Sequence, residues 1–132
     1  MQTLVWYESE RATTVYTPFI ETFSKRLKNK KNTSLSVFTN LEESLSAITP
    51  PLNMMIANHP SPEDMVGIGK YIINHPDTRV IITRAVDASK TKEIADSILP
   101  RELTKSSTYS QISFLSISVF YYRLDDIIPD QS

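Results

Sequence analysis

Apolar clusters of strand length alternate along this chain with stretches of helical period, and a chain patterned this way has to stack helices against a mostly parallel sheet. Leu4-Val5-Trp6-Tyr7 is a short apolar run closed by Glu8-Ser9-Glu10, as in a buried first strand. Tyr16, Phe19, Ile20, Phe23 and Leu27 then recur at helical spacing. Thr17 and Pro18 within that run supply either an N-cap with a first-turn proline or a kink. Strand-like 34–39 leads to a short helix over 40–48 opened by Asn40. Met54-Met55-Ile56-Ala57 is a third apolar run, and Met65, Ile68, Tyr71 and Ile72 mark the inward face of the helix after it.

Arg79–Thr83 is the clearest strand, and Ile94, Ile98 and Leu99 define a helix face stopped by Pro100. Arg101–Lys105 reads as a fifth strand. Over 108–123, Ile112 and Phe114 alternate as in a strand, but Tyr109, Ile112, Leu115, Val119 and Tyr122 keep helical period, and a strand rarely reaches such a length. A final helix is therefore expected. Connection rules fold five βα units into a parallel sheet between two helical layers, a (βα)5 three-layer sandwich with its functional crevice at the strand C-termini.

Composition narrows the function. The chain has 132 residues, enough for one domain with one sizeable core. Its 14 basic and 15 acidic side chains leave a net charge of −1, with no general attraction to nucleic acid or anionic membrane. Without cysteine there is no disulfide framework, thiolate metal site or Cys nucleophile. The opening Met1–Trp6 runs directly into a strand without the features of a secretory leader, and no apolar run has membrane-spanning length. A cytoplasmic domain over 1–124 is expected, with 125–132 as an acidic tail or linker. Two glycines leave no Gly-rich phosphate loop, nucleophile elbow or dinucleotide fingerprint.

The order and spacing of these segments resemble a response-regulator receiver domain over almost the whole chain. The resemblance is carried by Leu35–Leu45 as second strand and helix, by Met54–Pro62 as the phosphoacceptor strand and loop, by Val80–Ala85 as a fourth strand ending in a hydroxyl, and by Glu102–Ser106 as a fifth strand ending in a lysine. It implies a flavodoxin-like sheet of order 2-1-3-4-5. It also implies a pocket of acids for Mg²⁺, an aspartate that takes phosphate, and a hydroxyl and lysine that bind it.

That pocket is taken apart here. Glu8 stands at the first acidic position and Ser9 at the second; Asn58 replaces the aspartate; Thr83 and Lys105 keep the hydroxyl and the amine. A carboxamide is neither a nucleophile for phosphoryl transfer nor an anionic metal ligand. Glu102 sits at the switch position where the family often has an aromatic, and Ser106 where it usually has proline. The expected chain is a pseudo-receiver: no enzyme, no catalytic residue, no metal, no cofactor. Glu8 and Lys105 could replace metal and phosphate with an internal ion pair. Asn58, Thr83 and Lys105 also fit a plainer role, hydrogen bonding across the top of a sheet.

His59 and His75 precede prolines and belong to no metal-ligand spacing, while Glu63 and Asp64 fit capping acids of the third helix. Lys25–Lys31 reads as a solvated helix end. Phe114, Ile117 and Tyr121 make a second stripe on the last helix, either a partner or homodimer face or a surface buried by neighbouring elements. The resemblance favours an interface built from the fourth helix, fifth strand and fifth helix. Two further readings stand beside it: the N-terminal regulatory domain of a larger transcriptional or signalling protein, and a small-ligand-binding α/β domain.

Overall fold

The first strand, β1 (Gln2–Glu8), is buried nearly throughout, as a strand covered on both faces must be. It pairs in parallel with β2 (Thr33–Phe38) on one side and β3 (Met54–Asn58) on the other. β4 (Arg79–Arg84) follows β3, and β5 (Ile112–Ser116) closes the far edge, giving the order β2-β1-β3-β4-β5. The computed structural model describes residues 2–9, 13–85 and 88–129; for 13–16 and 88 it describes the backbone alone. The expected inward position of Tyr16, the acid at Glu10 and the end of the tail lie outside the described atoms. All four strand pairs are parallel and helices flank both faces, so the fold is the flavodoxin-like three-layer sandwich.

One face of the sheet carries α2 (Leu41–Ala47), α3 (Pro62–Asn74), α4 (Ala88–Ile98) and the single turn α5 (Arg101–Thr104). Val5, Met55, Val80, Ile82 and Ile112 meet Met65, Ile68, Ile72, Leu99 and Leu103 there. The other face carries α1 (Thr13–Lys31), α6 (Ile117–Tyr122) and α7 (Leu124–Ile127). Trp6 is at its centre, with ring centroids 5.4 Å from Phe23, 6.0 Å from Phe19 and 6.2 Å from Phe120. Leu124, Ile127 and Ile128 are buried in the same layer, so the stretch expected to leave the domain as a tail from 125 is folded on to the core through Ile128.

Of the two readings of Thr17 and Pro18, a helix start there is excluded: helix α1 begins at Thr13 and holds Pro18 inside it. Three local expectations are corrected. On α4 the buried residues are Thr91, Ala95 and, just past its end, Leu99, while Ile94 faces outward. Arg101–Thr104 is helical where a strand was expected: Pro100 stands at the N-cap, Glu102 lies in the first turn, and Leu103 is driven into the core. The fifth strand comes after it, at Ile112–Ser116, so the segment 108–123 is a 3-10 turn, a strand and a helix in succession. Ser116 ends the strand and caps the helix, its hydroxyl accepting from the Val119 N–H at 3.2 Å.

Candidate functional site

Strand register builds the site. Glu8 is opposite Asn58, and Asn58 opposite Thr83, so the last inward residues of three adjacent strands form one row at the C-terminal rim of the sheet. Period-two alternation puts Glu8 on the face of Trp6, and Asn58 and Thr83 on the faces of Ile56 and Ile81, toward α1 and α6. All three polar side chains are fully buried.

Buried polar groups have to be paired, and this row pairs them internally. The Thr83 hydroxyl donates to Asn58 Oδ1 at 2.9 Å. Asn58 Nδ2 donates to Glu8 Oε1 at 3.0 Å and Oε2 at 3.1 Å, and Trp6 Nε1 donates to Oε2 at 2.6 Å. Burial pushes the Glu8 carboxyl above the usual carboxylate range, while the hydrogen bonds from Trp6 and Asn58 act in the opposite direction. An aspartate at 58 would have acceptors only and would oppose a second carboxylate to Glu8; the carboxamide turns that clash into donation.

Above the row, the loops after β3 and β4 are stitched together. His59 is left-handed at φ 51°, its N–H donates to the Thr83 carbonyl at 2.9 Å, and its Nε2 accepts from the Ala85 N–H at 3.2 Å. That bond needs the neutral imidazole, and burial together with the nearby Arg84 charge lowers the His59 pKa. The Arg84 guanidinium donates to the Pro60 carbonyl at 2.7 Å. Beside them, Ser61 and Asp64 form a capping box at the start of α3, and the Tyr7 hydroxyl donates to Asp64 at 2.9 Å.

Of the residues singled out from sequence, Glu8, Asn58 and Thr83 come together, and buried Ser9 adjoins them through its N–H to the Asn58 carbonyl at 3.5 Å. Lys105 does not join them. It is the exposed C-cap of α5, and Glu102 is exposed on that turn, so neither holds a fifth-strand position. The Glu8–Lys105 ion pair is replaced by the bonds from Trp6 and Asn58. β5 carries no lysine, and its Ser116 is opposite Arg84. Phe114, Ile117 and Tyr121 do not share a helical stripe. Phe114 is in β5, 6.3 Å from the Tyr109 ring on one face of the sheet. Ile117 and Tyr121 pack on the opposite face, Tyr121 5.5 Å from Phe19 and under the Arg26 guanidinium. Trp6, His59 and Arg84 were missed as parts of the rim, although the i, i+2 spacing of Trp6 and Glu8 already places them on one side of a strand.

Among the described residues, no three His, Asp or Glu side chains gather into a group able to hold a metal ion, and no helix is long and apolar enough to cross a membrane. Compared with known protein families, with curated proteins and with solved structures, the chain matches none.

Proposed function

We propose that this chain is a phosphorylation-independent, pseudo-receiver signalling or regulatory module that works by binding another protein and is not an enzyme. One observation carries the reading: the rim position where a phosphoacceptor would be needed holds Asn58, buried and hydrogen-bonded between Glu8 and Thr83. A polar row paired from within favours one arrangement of the strand ends and puts a carboxamide, not a carboxylate, at the phosphoacceptor position. The fifth-strand lysine that would clamp a phosphoryl group is missing as well.

Binding is better sought on the outward residues of α4 and α6 than on the half-buried Phe114, Ile117 and Tyr121. Ile94 on α4, and Val119 and Tyr122 on α6, expose large apolar surface on either side of β5, Tyr122 at 84% of its full accessibility. Incubation with acetyl phosphate and Mg²⁺, followed by intact mass measurement, should show no added phosphoryl group. A stable acyl-phosphate on the native chain would overturn the reading. In parallel, a folded Val119→Glu, Tyr122→Glu variant should lose partners that the native chain captures from its own cells.

A further inference from the structure

We propose that a second copy of this chain pairs with it through the β2 edge, the two β2 strands running antiparallel about a two-fold axis so that the sheet continues from one protomer into the other. β2 has one strand neighbour, β1, and its register with β1 is continuous from Thr33 to Phe38 without a bulge. An edge strand presents backbone N–H and C=O groups outward, and soluble proteins usually guard it with lysine, proline or a bulge. Thr33-Ser34-Leu35-Ser36-Val37-Phe38 has none of these, and Val37 is 44% exposed. Ile20 and Lys25 of α1 line an open groove with Leu35 and Val37, so the edge offers apolar surface as well as backbone.

Charge selects the occupant. α1 enters β2 through the single residue Asn32 (φ 47°), which places exposed Lys28 and Lys30 at the start of the strand. Exposed Glu42 and Glu43, in the first turn of α2, stand just past its other end. The two charge groups are separated by a strand of roughly 20 Å, at about 3.3 Å per residue. A two-fold axis reverses the second strand, so each basic end meets an acidic end, twice; a parallel arrangement would set like against like. The β5 segment itself offers no such pattern, since no charged residue occurs from Ser106 to Tyr122. The pairing uses the edge strand and not the polar rim, so it stands or falls apart from the function proposed above.

Sedimentation velocity across a concentration series, with hydrogen exchange on the same samples, tests the pairing. The expected result is a reversible dimer in which amide protection of 34–38 rises with concentration while that of 112–116 does not. Val37→Lys should leave a folded monomer. Glu42→Lys with Glu43→Lys should weaken the dimer about tenfold, and adding Lys28→Glu with Lys30→Glu should restore it. A chain monomeric up to near-millimolar concentration, a dimer protected at β5, or a β2 edge that pairs only with a strand of some other protein would each overturn the proposal.

Discussion

Asn58 owes its consequence to its amide group. The amide nitrogen donates across both oxygens of the buried Glu8 carboxyl, and the amide oxygen accepts from Thr83. Asn58→Asp removes that donor and sets two buried acids side by side, which should cost on the order of 3 kcal/mol at neutral pH. One acid of such a pair is held protonated by the other, its folded pKa raised above the unfolded one. The variant should therefore regain stability as pH falls toward the ordinary carboxylate range, in denaturant melts run from pH 7 down to pH 4. A variant as stable as the native chain at pH 7 would contradict the arrangement.

His59 gives a pH dependence of its own. Its pKa is lowered from 6.5 by burial and by Arg84, so its contribution to stability is complete above 6.5 and is lost as pH falls through the folded value. Glu8, raised above 4.5, acts oppositely: its contribution is complete below 4.5 and is lost as pH rises through its folded value. A His59→Gln variant should flatten the loss of Tm just below pH 6.5; an unchanged profile would remove His59 from the rim. The row itself was legible in the sequence as far as Glu8, Asn58 and Thr83, because each ends an apolar run. Lys105 was not, since its place depended on which segment is the fifth strand.

At the scale of elements, overlapping periods hid that strand. Ile112, Phe114 and the residues of α6 combine two-residue and helical spacing with no polar loop between them, because Ser116 serves as both strand end and helix cap. Ser116 at the N-cap and the Pro100–Glu102 helix start were the local signals that could have separated the elements. Strands and helices with one dominant period, such as β4 and α3, were read correctly, Met65, Ile68 and Ile72 being inward as their spacing requires.

Helix α3 is also pinned by close approach. A Cβ on Gly69 would stand 2.9 Å from Leu99 Cδ2 and 3.0 Å from Leu103 Cδ2, where α3 meets the end of α4 and α5. Helix propensity alone favours Gly69→Ala by up to about 1 kcal/mol. Overpacking against two buried leucines should win, for a net loss of about 1 to 2 kcal/mol by chemical denaturation. A stabilised variant would show that the two leucines yield freely.

Across the whole molecule, the layer pattern of the sequence was enough to define five parallel strands, since apolar runs buried on both faces leave few other arrangements. The extent of the domain was less legible. Asp125 and Asp126 make the end look like a solvated tail, but Ile127 and Ile128 fill the core beside Leu124, and Asp125 meets Arg26 at 3.6 Å and Lys31 at 4.0 Å. The sheet, both helical layers and the stitched rim loops surround the Glu8, Asn58 and Thr83 row, and on the reading proposed above neither Mg²⁺ nor a phosphoryl group selects a second state there. The most direct measurement is an amide and side-chain NMR map of the whole chain during titration with Mg²⁺ and beryllofluoride, a phosphoryl analogue. A slowly exchanging Asn58 side-chain amide and no saturable shift anywhere are expected. Saturable shifts centred on Glu8, Asn58 and Thr83 would contradict that reading.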